Sequence, residues 1–225
     1  MALIKEIANW KSVRRYSEEP IPEEKITACL EAAHRAPSWE NYQPWHFIVI
    51  RDEDVKSLLV ELSGGQRFIG KAPAIILVAA AMSCFSEAKV RIQLQELLEA
   101  VTGKPVDDDF INKAFIDRPL MTPVKLGNEI TFARALEQLS YAVSFAILEA
   151  VHQGPGACVV GAFGNKATKQ TPELYTKLVE ILNLPDDVLP LVMITLGIPA
   201  ENPDPRPRKD ITKICHRDKF GGPWF

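Results

Sequence analysis

The stretch AIILVAAA, from Ala74 to Ala81, limits the possible folds of this chain more than any other feature. Every residue in it is apolar, and no alternation marks a side that faces water, which is typical of a strand covered on both faces. The longer apolar run that contains it, residues 72 to 85, is shorter than the ~18 to 20 residues needed to cross a bilayer. We therefore expect a buried strand with packed layers on both sides.

The rest of the chain alternates between helix and strand patterns. Periodicity and helix-start signals predict helices at residues 2–10, 22–35, 52–65 and 171–184, and strands at 46–52, 157–163 and 189–199. Residues 86–152 have a helical pattern with one break at TGKPVDDD. Within that region FARALEQLSYAVSFAILEAV is apolar nearly all round, so we expect it to be buried in a core or against another subunit.

The last residues, about 200–225, carry four prolines and end on FGGPWF. Little of this segment can pack by itself, so we expect an extended arm whose apolar end covers a partner subunit. The order of elements predicts one domain over residues 1–225, with a helical insertion at about 86–130. Its class is a three-layer α/β or α+β domain.

Composition excludes several classes of function. The formal net charge of −3 comes from interspersed charges, so no basic face indicates nucleic acid. The first residues lack the features of a signal peptide, and we expect a cytoplasmic protein with no membrane partner. The four cysteines and four histidines are scattered, which predicts neither a disulfide framework nor a metal site.

Motifs for nucleophilic or nucleotide chemistry are absent from the sequence. It contains no GxSxG, HExxH, P-loop or GxGxxG pattern. The glycines of GPGACVVG precede or lie within a predicted strand instead of opening a helix after one, which excludes a Rossmann site. No histidine lies in a catalytic motif, so we predict no catalytic side chain.

Two basic clusters lie in proline-flanked loops, KSVRR near the start and RPRK near the end. Arginines with a serine between them can hold a phosphate through charge-assisted hydrogen bonds. The alternative is a pair of solvated basic loops, which composition alone favours. The residues are Lys11, Ser12, Arg14 and Arg15 in the first cluster and Arg206, Arg208 and Lys209 in the second.

A third polar segment, APSWENYQPWHFIVI at residues 36–50, leads into a predicted strand. Ser38, Asn41 and Gln43 offer the neutral donors and acceptors that can bind the edge of a planar heterocycle. Trp39 or Trp45 could cover apolar surface beside it. The alternative is that the tryptophans anchor the loop in the core, which we expect for Trp45.

Four segments in order resemble the motifs of the nitroreductase-like FMN-dependent oxidoreductases: KSVRRYSEEPI, APSWENYQPWHFIV, GACVVG and LGIPAENPDPRPRKDI. Together they span nearly the whole chain. The resemblance implies an α+β, three-layer α/β/α fold with a central, mostly antiparallel sheet. It also implies a homodimer that exchanges C-terminal arms and holds two FMN molecules at the subunit interface.

The resemblance further implies a set of cofactor-binding residues. The first segment is expected to contact the phosphate, ribityl chain and pyrimidine edge, and the basic pair after the last strand completes the phosphate clamp. The polar loop reaches the flavin from the other subunit, an amide bonds the isoalloxazine, and a strand end places its backbone near N5. The first segment contributes Lys11, Ser12 and Arg14, and the basic pair is Arg206 and Arg208. The polar loop contributes Pro37, Ser38 and Asn41. The amide is that of Gln66, and the strand end is Val160 and Gly161.

One position departs from the family pattern. The family's first motif usually begins with an arginine where this chain has Trp10. Arg206 and Arg208 would then carry more of the phosphate's charge, or Trp10 contributes only through its backbone.

The activity implied by the resemblance is reduction of nitroaromatic, quinone or related acceptors by NADH or NADPH through a ping-pong cycle. Arg14 or Lys11 would stabilise the reduced flavin near N1 and O2, and the Gly161 N–H would tune its potential. The acceptor's proton would come from solvent or nucleotide. Alternatives are dehalogenation, flavin cleavage or ring oxidation on the same fold, or a non-catalytic FMN-binding dimer.

The helical insertion is the segment expected to set what approaches the flavin. Its candidate lid residues are Phe85, Phe110, Phe115 and Met121. The alternative for each is an ordinary place in the core.

Overall fold

A computed structural model of the protein describes residues 3–118, 122–162 and 171–224. Met121 and Phe163, which belong to the predicted lid and to the third predicted strand, lie outside these ranges. The helices are α1 (Lys5–Asn9), α2 (Glu23–His34), α3 (Glu53–Leu62), α4 (Glu87–Thr102), α5 (Asp108–Ile111), α6 (Asn128–Gln153) and α7 (Pro172–Ile181). The strands are β1 (Trp45–Ile50), β2 (Ala74–Ala81), β3 (Gly156–Val160) and β4 (Val188–Gly197).

The four strands form one sheet in the order β1-β2-β4-β3, and each neighbouring pair is antiparallel. This confirms the expected antiparallel sheet. The strands β1 and β3 are its two edges, which places the segments beside them at opposite sides of the molecule.

Strand β2 is buried along its whole length, as its composition predicts. Its alternate residues enter two different cores, because successive side chains of a strand point to opposite faces. Ile76 and Val78 pack in the core that also contains residues of α2, α4 and α6. Ile75 and Leu77 pack in the core that contains residues of α3 and α7. The three-layer α/β/α architecture is therefore confirmed.

The long helix α6 is only half buried within one chain. One side packs in the core through residues such as Ala135, Leu139 and Ala142. The opposite side exposes Phe132, Leu136, Tyr141 and Phe145, together with serines. Burial of the whole helix in its own core is thus wrong, and burial against another subunit remains a prediction.

The segment of residues 11–17 lies against the end of the sheet where two glycines face each other. Gly156 of β3 pairs in register with Gly197 of β4. A Cβ on Gly156 would lie 2.7 Å from Val13 Cγ1, and a Cβ on Gly197 would lie 2.5 Å from Pro73 Cδ and 2.8 Å from Tyr16 Cδ1. These contacts are far closer than carbon atoms tolerate, so only glycine allows the segment to approach this closely.

The C-terminal segment is extended only in part. Residues 201–210 have no regular structure, as expected of an arm. Residues 215–224 instead fold back, with a bridge between His216 and Pro223 and a hydrogen bond from Arg217 Nη2 to the Trp224 carbonyl at 3.0 Å. Phe220 at the tip of this turn is 92% exposed. Exchange of the arm with a partner remains a prediction.

Over the described ranges, no helix combines the length and the apolar character required to span a bilayer. The same ranges contain no cluster of three or more histidine, cysteine or acidic side chains that could hold a metal ion.

The glycine pair generates a first prediction. Gly197→Ala should lower the free energy of unfolding by about 1 to 3 kcal/mol, because the added methyl overlaps Pro73 and Tyr16. Gly161→Ala is the control, since no atom lies within 4 Å of the place that its added methyl would occupy, and its effect should stay within about 0.5 kcal/mol. Urea unfolding of the two variants measures the difference. Equal stability of both variants would contradict the steric role of Gly197.

Candidate functional site

The first basic segment is fixed beside the edge strand β3. Ser12 forms a parallel bridge with Ala157, and the Val13 N–H donates to the Ala157 carbonyl at 2.9 Å. On its other side the Arg15 carbonyl accepts from the Ala200 N–H at 2.9 Å. The segment is therefore held between β3 and the beginning of the arm.

Residues just after β4 bind this segment through their side chains. One carboxylate oxygen of Glu201 accepts from the backbone N–H groups of Arg14, at 2.7 Å, and of Arg15, at 3.1 Å. Lys11 donates to the side-chain carbonyl of Asn202. Sequence reasoning missed Glu201, since nothing in the local pattern links it to residues almost two hundred positions earlier.

The turn that contains Gln66 meets the same segment. The Arg14 guanidinium lies over the ring of Phe68, 5.7 Å from its centroid. Gln66 donates through Nε2 to the Ser63 carbonyl at 3.0 Å, which leaves its side-chain carbonyl available. The structure thus brings the first basic segment and the Gln66 turn together through Arg14 and Phe68.

A network of polar groups links the first basic segment to β3 and β4. The Tyr16 hydroxyl donates to the Val13 carbonyl at 2.7 Å, and it lies 2.7 Å from Thr195 Oγ1. Thr195 Oγ1 in turn donates to the Cys158 carbonyl at 3.3 Å. Burial raises the pKa of the Tyr16 hydroxyl and of the Cys158 thiol, so both groups are neutral and structural.

The end of β3 opens onto an apolar groove. Val160 pairs with Met193 and its side chain is buried, so only its backbone can face a ligand. Gly161 follows the strand and is exposed. The groove has a volume of about 520 Å³ and is lined by Val159 and Gly161 together with Phe132, Leu136, Leu191 and further residues of α6.

Arg206 and Arg208 lie in the exposed segment that follows Asn202. Both side chains are exposed to solvent in the single chain. The contacts of the arm with the first basic segment come from residues 199–202, which precede the two arginines.

The polar loop of Pro37, Ser38 and Asn41 lies at the opposite corner of the sheet. Ser12 adjoins Ala157, which is level with Leu196 of β4. Trp45 at the end of the polar loop is level, through β2, with Leu189. Seven residues of strand separate these levels, or about 23 Å along β4. One chain therefore cannot place both groups of residues on one small ligand.

The polar loop is anchored at both ends. The Ala81 N–H donates to the Pro44 carbonyl at 2.8 Å, and Trp45 is buried in the core, which confirms its predicted role. The Gln43 N–H donates to Ser38 Oγ at 3.1 Å. The Ser38 hydroxyl keeps its own proton to donate elsewhere.

Trp39, whose role the sequence left open, is attached to α6. Its backbone N–H donates to Gln138 Oε1 at 3.0 Å, and the Arg134 guanidinium lies over its ring at 5.8 Å. The tryptophan therefore docks the polar loop on the helix.

Among the candidate lid residues, Phe85 is fully buried and packs edge-on against Tyr42, with ring centroids 5.8 Å apart. It belongs to the core. Phe110 and Phe115 pack against each other at 6.4 Å, and Phe110 is exposed.

The centre of the polar loop is strained. Glu40, Asn41 and Gln43 have φ angles of 45°, 59° and 46°, a left-handed conformation that costs free energy for residues with a Cβ. Such strain persists where surrounding contacts fix the backbone. Here the Gln138 bond at Trp39 and a bond from Gln93 Nε2 to the Tyr42 carbonyl at 3.2 Å do so.

Glu40 also holds an unusual carboxyl group. The Tyr42 hydroxyl donates to Glu40 Oε2 at 2.8 Å. The other oxygen, Oε1, is buried and has no hydrogen-bond partner within the described ranges. Burial raises the pKa of this carboxyl above its ordinary value of 4.5, although the hydrogen bond from Tyr42 acts in the opposite direction. Sequence reasoning did not single out this residue.

This chain is similar to known proteins over most of its length. The family model described as the nitroreductase family matches residues 7–198. The FMN reductase [NAD(P)H] of Bacillus subtilis is 26% identical over 219 residues, which cover 97% of this chain and 74% of that protein. An NADH dehydrogenase of Thermus thermophilus is 28% identical over 207 residues, or 91% of this chain and 90% of the relative.

Solved structures include one with a similar fold. The hypothetical oxidoreductase YcnD from Bacillus subtilis superposes with a TM-score of 0.69 at 26% identity, over 96% of this chain and 73% of that chain.

The Glu40 carboxyl generates a second prediction. Because its pKa is raised in the folded state, the folded protein binds this proton more tightly, and stability should fall as the pH rises above 4.5. Glu40→Gln removes the titrating group while its amide oxygen can still accept from Tyr42. Urea unfolding at pH 4 and pH 7 should therefore show a smaller loss of stability with pH in Glu40→Gln than in the natural protein. The exposed Glu61→Gln is the control, and parallel pH profiles for all three proteins would contradict the prediction.

Proposed function

Since this chain belongs to the nitroreductase family, we propose that it is an FMN-dependent oxidoreductase that uses NADH or NADPH. The observation that carries the proposal is that Arg14 lies over Phe68 of the Gln66 turn while Ser12 of the same segment pairs with β3. Relatives named FMN reductase and NADPH nitroreductase support the cofactor and the electron donor.

The residues present fit FMN by their chemistry. Lys11 and Arg14 supply cations for a phosphate or an electron-rich ring edge. The free side-chain carbonyl of Gln66 suits the N–H of a flavin pyrimidine ring. The apolar groove beside Gly161 suits a flat aromatic ring, and the lack of a Cβ at Gly161 lets a ligand approach the backbone closely.

We assign the binding roles by the family pattern. Lys11, Ser12 and Arg14 hold the phosphate, ribityl chain and pyrimidine edge, and Gln66 bonds the ring. The backbone of Val160 and Gly161 would lie near N5. The exposed Arg206 and Arg208 would neutralise the phosphate's charge, which Trp10 cannot do.

When bound, FMN supplies the two-electron chemistry: a ping-pong exchange of hydride from NADH or NADPH to a nitroaromatic, quinone or related acceptor. The protein's own part is to position the cofactor and to place charge beside it. Arg14 or Lys11 places positive charge where negative charge develops on reduction. No side chain is assigned to donate the acceptor's proton, which comes from solvent or nucleotide.

We further propose that the working unit is a homodimer with two shared sites. The first basic segment and the polar loop lie about 23 Å apart along the sheet, so Pro37, Ser38 and Asn41 can serve a site only on a second copy. The exposed apolar face of α6 borders the groove and offers the surface that this copy covers.

The C-terminal arm fits the same assembly. Residues 201–210 leave the domain without regular structure, and the turn at residues 215–224 exposes Phe220. Exchange of these arms between the two copies would bury that ring. The expected location is the cytoplasm.

Flavin binding and reduction test the function directly. FMN added to apoprotein should lose its fluorescence at about one molecule per chain, and anaerobic NADH or NADPH should then bleach the bound flavin. A quinone and a nitroaromatic compound should each restore its absorbance. Absence of FMN binding would refute the proposal. Binding without reduction by either nucleotide would instead favour a different flavin reaction or a non-catalytic FMN protein.

The dimer generates a separate prediction. Leu136→Asp places a charge in the exposed apolar face of α6 and should convert the dimer to a monomer and weaken FMN binding at least tenfold. Ile92→Asp, on the exposed face of α4, is the matched control and should keep both properties. Light scattering and FMN titration report the two effects. A Leu136→Asp protein that stays dimeric would place the interface elsewhere.

A further inference from the structure

We propose that Glu201 is a positioning residue that sets where the Arg14 side chain meets the flavin. The inference rests on the proposed function, because it concerns the same cofactor site. It does not follow from the basic clusters, since a carboxylate beside a site for an anionic cofactor is unexpected on charge alone.

The hydrogen bonds of Glu201 fix two successive backbone groups. One carboxylate oxygen accepts from Arg14 N at 2.7 Å and from Arg15 N at 3.1 Å. Bonds between a carboxylate and backbone N–H groups are charge-assisted and stronger than neutral ones. The half-buried Glu201 carboxylate thus holds the backbone of Arg14, whose side chain is proposed to bind the flavin ring.

The backbone hydrogen bonds beside the Glu201 contact show which part of the first basic segment they hold. Ser17 N donates to the Ile198 carbonyl and Ala200 N donates to the Arg15 carbonyl, each at 2.9 Å. These bonds join the two segments only from Arg15 onward, and Arg14 lies before them. Glu201 extends the attachment to the Arg14 N–H, next to Val13, whose own N–H is bonded to Ala157 of β3.

The other end of Arg14 is also defined. Its guanidinium lies over the Phe68 ring, two residues from Gln66. With the backbone fixed by Glu201 and the guanidinium resting on Phe68, the side chain spans from the first basic segment to the Gln66 turn. Loss of Glu201 removes this acceptor from the Arg14 N–H, so the Arg14 backbone is held less firmly, through Val13 and Arg15 on either side.

Charge and position have opposite effects on the flavin, which makes the inference testable. Removing a negative charge near the site favours the reduced, more anionic flavin and raises its reduction potential. Releasing Arg14 withdraws a positive charge from the same place and lowers the potential. The sign of the shift therefore separates the two roles.

The experiment compares three variants with the natural protein. Glu201→Ala removes charge and acceptor, Glu201→Gln removes charge but keeps an oxygen that can accept both bonds, and Asp204→Ala removes an exposed charge from the same segment. The readouts are the dissociation constant of FMN and the two-electron potential of the bound flavin. Thermal unfolding of each apoprotein reports folding separately.

The expected result is specific to Glu201→Ala. Its FMN dissociation constant should rise at least tenfold. Its potential should fall by about 30 mV for each tenfold by which binding of reduced flavin weakens more than binding of oxidised flavin. Glu201→Gln and Asp204→Ala should bind FMN within about threefold of the natural protein, with an unchanged or slightly higher potential.

Other outcomes overturn the inference. A raised potential in both Glu201→Ala and Glu201→Gln would mean that Glu201 acts by charge only, and an unchanged potential with a lower unfolding temperature would make it merely structural. Should Glu201→Ala not fold, Glu201→Asp decides, because it keeps the charge but retracts the acceptor and should still lower the potential. Failure of the natural protein to bind FMN would refute the proposed function instead.

Discussion

The contact on which the structure most depends is the close approach of residues 11–17 to the end of the central sheet. Gly156 and Gly197 face each other there, and their missing side chains make room for Val13 and Tyr16. Hydrogen bonds to Ala157, Ile198 and the arm then hold the segment in one register. Lys11, Ser12 and Arg14 belong to this segment. The close packing of its backbone on the two glycines therefore determines where these site residues lie.

Different interactions hold the first basic segment and the polar loop, the two halves of the candidate site. The first basic segment rests on complementary packing and on backbone hydrogen bonds to both of its neighbours. The polar loop holds left-handed residues and a buried carboxyl oxygen without a partner within the described ranges, so part of its contact energy offsets strain. The first half is therefore expected to keep its shape without a ligand, while the second is closer to an alternative conformation.

Local patterns were enough to predict the layers and the anchoring role of Trp45. Continuous apolarity identified β2, and the position of Trp45 next to a strand identified it as an anchor, because both depend only on near neighbours in sequence. Glu201 and Gln138 could not be found in this way, since each bonds backbone groups about 100 or more positions away. The same holds for Gly197, whose role comes from Pro73 and Tyr16, and for the left-handed φ of Glu40, which packing imposes against its intrinsic preference.

The start of the arm links assembly to cofactor binding. Residues 199–202 are bonded to the first basic segment, while the same arm ends in an exposed aromatic turn suited to a second copy. Any free energy that a partner supplies by fixing the arm also restricts the segment that carries Lys11 and Arg14. By linkage, a cofactor that binds this segment more tightly when the arm is docked must favour the docked arm to the same degree. In the proposed dimer, assembly and flavin binding are therefore expected to strengthen each other through Glu201 and its neighbours.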